Sequence, residues 1–218
     1  FIRFSGCNLD CNYCDTNILD DKYCLISNTQ EVSKLQNPIP VEKLLKITLD
    51  FHKEAFHSIS LTGGEPLLSA DFINLYITEV KKFISRQFYL ETNGTLPQIL
   101  ENIIDKIDII SMDIKIESYT GQNADYETNS RFIEIAKRYN KEIFAKVVLS
   151  SNVKEKEILD ISHICSFHKI PLILQPISTS DENLALNSKK INEIVDFIMP
   201  KYSNIRLIPQ VHKFLNLL

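Results

Sequence analysis

A chain of 218 residues that is 44% hydrophobic and 24% charged can bury a core of its own, and five glycines with eight prolines are too few for a linker-rich protein. The formal net charge is -4 and no run of Lys/Arg is long enough to make the basic footprint of a nucleic-acid binder, which favours a small-molecule substrate. No apolar stretch approaches the roughly 18 residues of a membrane span and no charged-then-apolar leader opens the chain, so neither a membrane segment nor a signal peptide is expected.

The chain opens at Phe1, inside a strand-like run and without Met, so a further upstream segment is expected; residues 1–218 read as one core domain. Phe1–Ser5 is a short apolar strand that delivers Gly6-Cys7-Asn8-Leu9-Asp10-Cys11-Asn12-Tyr13-Cys14 at its end. Residues 15–40 are polar and irregular, with one small strand at Tyr23–Ile26, and a segment of that kind is usually functional or mobile. Val41, Leu44, Leu45, Thr48 and Leu49 then mark one helix face.

Ser58–Leu61 reads as a strand running into Thr62-Gly63-Gly64-Glu65-Pro66, followed by a helix with Phe72, Leu75, Tyr76, Val80 and Phe83 on one side. Phe88–Leu90 enters Glu91-Thr92-Asn93-Gly94-Thr95, and a short helix follows Pro97. Asp108–Lys115 is strand-like, and the next helix carries Phe132, Ile135, Ala136 and Tyr139. Ile143–Leu149 is a strand, and Ile158, Ile161, Cys165 and His168 share a helix face. Leu172–Leu174 leads to Gln175-Pro176, a helix carries Ile191, Ile194, Val195 and Ile198, and Ile205–Ile208 precedes Pro209-Gln210-Val211-His212-Lys213.

Apolar strands alternating with helices predict parallel βαβ units with right-handed crossovers, which curl into an open or closed barrel. Eight clean units are not present, so a full eight-stranded barrel is not expected. The polar segments each follow a strand's last apolar residue, so they gather at one C-terminal rim.

Five cysteines, three of them between Cys7 and Cys14, make no sensible disulfide framework; they read as metal ligands in a reducing, cytoplasmic compartment. Three thiolates at C-x3-C-x2-C spacing can hold three irons of a [4Fe–4S] cube and leave the fourth open, whereas a structural zinc needs four closed ligands and would require Cys24 or a histidine. Gly63-Gly64 alone is a common turn. Glu91 and Asn93 could hydrogen-bond a ligand, or simply cap a turn. Lys115 suits a carboxylate or is a solvated lysine. Cys165 reads as a small core residue, Cys24 stays open as an accessory thiol, and His52, His57, His163 and His168 show no ligand spacing.

C-x3-C-x2-C followed by Gly63-Gly64-Glu65-Pro66 resembles the radical S-adenosylmethionine (SAM) superfamily. The resemblance implies an α/β fold, a partial (β/α)6 barrel with parallel strands. It also implies a [4Fe–4S] cluster whose open iron is chelated by SAM, with the radical carried by SAM and no catalytic side chain. Arg3-Phe4, Cys14-Asp15-Thr16, Leu61–Leu67, Glu91–Thr95 and Pro209–Lys213 are together similar to the 7-carboxy-7-deazaguanine synthase family.

That family is a carbon–nitrogen lyase group that contracts the ring of 6-carboxy-5,6,7,8-tetrahydropterin with loss of ammonia, on the route to queuosine and related 7-deazapurines. Carried over, the cluster ligands are Cys7, Cys11 and Cys14; Thr16 ligates Mg2+; Arg3 and Thr62 meet the pterin. Tyr13, Asp15, Gly64, Glu65, Glu91, Asn93, Asp113, Lys115, Gln175, Pro176 and Ser178 line SAM. Asp113-Ile114 stands where many members have Ser-Pro. A flavodoxin- or ferredoxin-type reductant and a homodimer are implied as well. The alternatives are a glycyl-radical-enzyme activating enzyme, which shares the spacing and the Gly-Gly-Glu-Pro turn, and a non-catalytic metal-binding module.

Overall fold

The computed structural model describes residues 1–12, 14, 22–27, 32–52, 56–178 and 186–211. In chain order the strands are β1 (Ile2–Phe4), β2 (Tyr23–Ser27), β3 (Val32–Gln36), β4 (Ser58–Gly63), β5 (Gln87–Thr92), β6 (Ile109–Asp113), β7 (Glu142–Leu149), β8 (Leu172–Pro176) and β9 (Ile205–Leu207). The helices are α1 (Val41–Phe51), α2 (Ala70–Val80), α3 (Pro97–Glu101), α4 (Glu117–Thr120), α5 (Tyr126–Arg138), α6 (Glu155–His168) and α7 (Ser188–Ile198).

One seven-stranded sheet runs β1-β4-β5-β6-β7-β8-β9, and every pairing in it is parallel. Successive strands are therefore neighbours joined by helical crossovers, the arrangement that curls a twisted sheet into an open barrel. Strand side chains alternate between faces, and here the two faces have opposite chemistry. Leu61, Phe88, Leu90, Ile110, Met112, Ala145, Val147, Leu172 and Leu174 are all buried in one core cluster with Ile73, Tyr76, Ile77, Phe132 and Ile161 of the helices. The alternate positions carry Arg3, Thr62, Glu91, Ser111, Asp113, Lys146 and Gln175, and register places Arg3 beside Thr62, Glu91 beside Ser111 and Asp113 beside Lys146. The inner wall is thus polar near the strand ends while the outer wall is apolar.

Two expectations need correction. Residues 15–40 were expected to be irregular apart from one small strand, yet β2 and β3 pair antiparallel from Tyr23–Gln36 to Ser27–Val32. The second strand, Val-Ser-Lys-Leu-Gln, keeps only Leu35 off the solvent side, so it carries no apolar signal. The buried face of α2 is Ala70, Ile73, Tyr76, Ile77 and Val80; Tyr76 and Val80 were in the expected stripe and Phe72 packs half-buried against the core, but Leu75 is 60% and Phe83 62% exposed. The helix ends at Val80, so Phe83 lies beyond it, and Tyr76 is anchored inward by a 2.6 Å hydrogen bond with Thr48 of α1. Cys165 is fully buried, as expected of a core residue, and burial pushes its thiol up to about 12. His168 is buried and hydrogen-bonded to Ser130 Oγ at 2.6 Å.

Candidate active site

The loop bearing the three cysteines leaves β1 at Phe4 and is laced onto the end of β4. Gly64 N–H donates to Phe4 O at 3.0 Å and Glu65 N–H to Gly6 O at 2.8 Å. A Cβ on Gly64 would stand 2.0 Å from Gly6 O, and one on Gly63, whose φ is +127°, would stand 2.1 Å from Phe4 O. Only glycine allows this approach. The Gly-Gly pair, expected to admit SAM to the backbone, is therefore first required by the chain's own cysteine loop.

Glu65 is turned inward. Its fully buried carboxylate accepts from Leu67 N–H at 3.1 Å and Thr92 O–H at 2.8 Å on one oxygen, and from Asn93 N–H at 2.8 Å on the other. Burial raises its pKa, against those hydrogen bonds and the Lys115 charge. This side chain knits β4 to β5 and has no free oxygen aimed at the rim.

Asn93 is likewise engaged with the loop. Its amide nitrogen donates to Asn8 Oδ1 at 2.9 Å and points at Cys7 Sγ at 3.9 Å, while its oxygen accepts from Thr95 N–H at 3.0 Å and Thr95 O–H at 2.6 Å. Asn8 closes the ring by donating to Thr95 Oγ1 at 2.8 Å. Leu9 N–H donates to Cys7 Sγ at 3.4 Å, so the sulfur faces N–H donors, which suits a thiolate.

At the far half of the loop Cys14 N–H bonds to Cys11 O at 3.0 Å, and Asn12 N–H reaches across to Thr120 O at 3.2 Å. The Cys11 thiol is raised by burial and by the neighbouring Cys7 and Cys14, and lowered by Lys115. Among the described residues no three His, Cys, Asp or Glu side chains converge as ligands of one ion would. A cube binds each thiolate to its own iron, so three sulfurs on one loop need not share a point. Three cysteines on one loop, with N–H donors facing the Cys7 sulfur, fit such a cluster.

Along the inner wall Thr62 O–H donates to Glu91 Oε2 at 3.3 Å. Asp113 Oδ2 lies 2.9 Å from Lys115 Nζ and 3.4 Å from Lys146 Nζ, all three side chains being only a fifth to a quarter exposed. Burial pushes the Asp113 carboxyl up, but the two ammonium groups more than offset it and hold it below the usual carboxylate range. Gln175 and Pro176 end β8, and Ser178 N–H, just beyond, donates to Gln210 Oε1 at 2.9 Å. The Pro209-Gln210 segment therefore closes on the 175–178 turn.

The structure gathers Arg3, Cys7, Cys11, Cys14, Thr62, Gly64, Glu65, Glu91, Asn93, Asp113, Lys115, Gln175, Pro176 and Ser178 at the C-terminal ends of five parallel strands, β1, β4, β5, β6 and β8, and the loops that follow them. Tyr13, Asp15, Thr16, His212 and Lys213 lie outside the described residues. Lys146, Asn8, Thr95 and Gln210 belong to the same region and were not singled out. A lysine at an inward position of the otherwise apolar run 143–149 was the one signal available for Lys146.

The sequence model of the Radical SAM superfamily matches residues 1–164. The chain is 33% identical to a 7-carboxy-7-deazaguanine synthase of Geobacter sulfurreducens, over 99% of this chain and 88% of that one. It is 32% identical to the corresponding protein of Archaeoglobus fulgidus, again over 99% and 88%. Among solved structures, Streptococcus suis SuiB bound to its precursor peptide SuiA superposes with a TM-score of 0.64 at 16% identity, covering 94% of this chain and 47% of that one. The anSMEcpe structure with bound AdoMet gives 0.58 at 18% identity, covering 97% and 64%. These two share the fold, and the fold, the matched superfamily and the full-length relatives agree: the chain belongs to the radical SAM superfamily and, within it, to the family of 7-carboxy-7-deazaguanine synthases.

Proposed function

We propose that this protein converts 6-carboxy-5,6,7,8-tetrahydropterin to 7-carboxy-7-deazaguanine with loss of ammonia, toward queuosine and related 7-deazapurines. The observation that carries this reading is identity of about a third to synthases of that name along nearly the whole chain. The superfamily implies a [4Fe–4S] cluster and SAM, which when bound supply the carbon-centred radical that removes a hydrogen atom from the substrate. Everything else falls to the chain.

Cys7, Cys11 and Cys14 would hold the cluster. Arg3, a guanidinium beside Thr62 in register, suits a carboxylate on the pterin. Thr16 supplies a hard oxygen for Mg2+. Glu91, steadied by the Thr62 hydroxyl, offers an acceptor on the inner wall. Asp113 and Lys115 present a fixed charge pair toward the methionine end of SAM, with Gln175, Pro176 and Ser178 two strands further along the sheet. Tyr89 and Phe144, with ring centroids 6.3 Å apart on the inner face, help exclude water from the reacting centre. Tyr13 and Asp15 line SAM, a flavodoxin- or ferredoxin-type protein delivers the electron, and the enzyme works as a cytoplasmic homodimer.

The test is direct. Anaerobically reconstituted, reduced protein is incubated with SAM, Mg2+ and the carboxytetrahydropterin, and 7-carboxy-7-deazaguanine is sought by mass spectrometry. Product that depends on all three supports the proposal; SAM cleavage with no deazapurine overturns it.

A further inference from the structure

The loop of the cysteines has two anchorages, and the second runs to a residue on the outer helix layer. Asn12, between Cys11 and Cys14, gives its N–H to Thr120 O at 3.2 Å, the last residue of α4. The next residue, Gly121, has a φ of +74° and leaves room for Asn12: a Cβ there would stand 2.4 Å from Asn12 Nδ2. The α4 turn is held in its own right, because Thr120 O–H donates to Ile116 O at 2.9 Å and Gln122 N–H to Thr120 Oγ1 at 3.1 Å.

What fixes that turn to the barrel is Glu157 in the first turn of α6. Its buried carboxylate accepts Ser118 N–H at 2.7 Å and Ser118 O–H at 2.5 Å, and also takes Lys154 N–H at 3.0 Å. An ionisable group is buried to this extent only when its acceptors are filled, and here two of its three donors come from the α4 turn 39 positions away in sequence.

We infer that Glu157 is a positioning residue for the Cys11–Cys14 half of the metal loop, acting through Ser118, Thr120 and Asn12. The inference rests on the assignment of Cys7, Cys11 and Cys14 as cluster ligands. Outer groups that orient a ligand segment set metal retention without touching the metal. Loss of the Glu157 carboxylate frees the α4 turn, and the partner of Asn12 N–H moves with it.

The experiment follows cluster retention rather than turnover. Reconstituted wild-type, Glu157→Ala and Ser118→Ala proteins are challenged anaerobically with an iron chelator, and decay of the absorbance near about 400 nm is timed. Glu157→Ala is expected to lose its cluster at least about fivefold faster than wild type, and Ser118→Ala about two- to threefold faster. Ser118→Ala leaves the Lys154–Glu157 bond of α6 in place, so a role confined to capping α6 predicts wild-type decay for it. Ile198→Val, a destabilisation in α7 away from the loop, is expected to leave cluster decay unchanged. Wild-type decay in Ser118→Ala overturns the inference whatever Glu157→Ala does, as does wild-type decay in Glu157→Ala or equal acceleration by Ile198→Val. Wild-type protein that takes up no cluster overturns the cysteine assignment itself.

Discussion

The carboxylate of Glu65 accepts the backbone N–H of Asn93 at 2.8 Å while wholly shut off from solvent. Since Glu65 N–H is bonded to Gly6 O and its other oxygen to Leu67 and Thr92, one residue couples the metal loop to the ends of β4 and β5. Glu65→Gln places an amide NH2 against one of these donors and leaves a buried donor unpaired. The expected loss of stability is about 1 to 3 kcal/mol, read as a lowered urea midpoint. An unchanged midpoint refutes this account of Glu65.

Gly64→Ala tests the lacing of the loop itself. The added methyl would meet Gly6 O at 2.0 Å, a backbone atom that yields only if the loop shifts. The core helices and strands do not depend on that contact, so far-ultraviolet circular dichroism should stay close to wild type. Iron content after reconstitution should fall severalfold. Full iron content in Gly64→Ala would mean that the loop does not need its seat on β4.

The seven sheet strands were readable as short apolar runs, several of which give way to a polar residue at the strand's C-terminal end: Leu61 before Thr62, Leu90 before Glu91, Leu174 before Gln175. The hairpin strand β3 was not, since only Leu35 turns away from solvent. The inward face of α2 was read only in part: Tyr76 and Val80 were placed on it, but the exposed Leu75 and Phe83 are as apolar as the buried Ile73 and Ile77 that belong there. At the site, residue types were legible but not their direction. Glu65 and Asn93 were read as facing a ligand, whereas their side chains serve Leu67, Thr92, Asn8 and Thr95 within the protein. A carboxylate turned toward SAM and one turned toward a neighbouring strand have the same letter.

His168 gives a pH dependence with a defined sign. Burial holds its pKa below the ordinary 6.5, with Glu134 raising it and Lys137 lowering it further. The neutral ring bonded to Ser130 is thus the native form, and the unfolded chain binds the extra proton more readily. Its contribution to stability is complete above the unfolded pKa of about 6.5 and is lost as pH falls through the lower folded value. The difference in urea midpoint between wild type and His168→Gln should therefore be constant at about pH 7 to 8 and shrink below about pH 6.5. A difference that grows on acidification would reverse the assignment.

Lys146 faces the inner wall from β7 and reaches Asp113 Oδ2 at 3.4 Å, on the same oxygen that Lys115 holds at 2.9 Å. Asp113 also has a buried Oδ1 with no hydrogen-bond partner among the described residues, so its charge relies on the two lysines. In Lys146→Met the carboxylate keeps Lys115 alone and draws that ammonium more fully to itself. If Lys115 addresses the carboxylate end of SAM, it then has less to offer. SAM should bind up to about tenfold more weakly, or about 1.4 kcal/mol, as read by calorimetry on the cluster-bound protein. Lys146→Arg restores the second cation and should recover most of the affinity. The pterin, proposed to meet Arg3 and Thr62, should show a much smaller rise in KM at saturating SAM. A change confined to pterin KM, with SAM affinity intact, would move Lys146 from the SAM side of the wall to the substrate side.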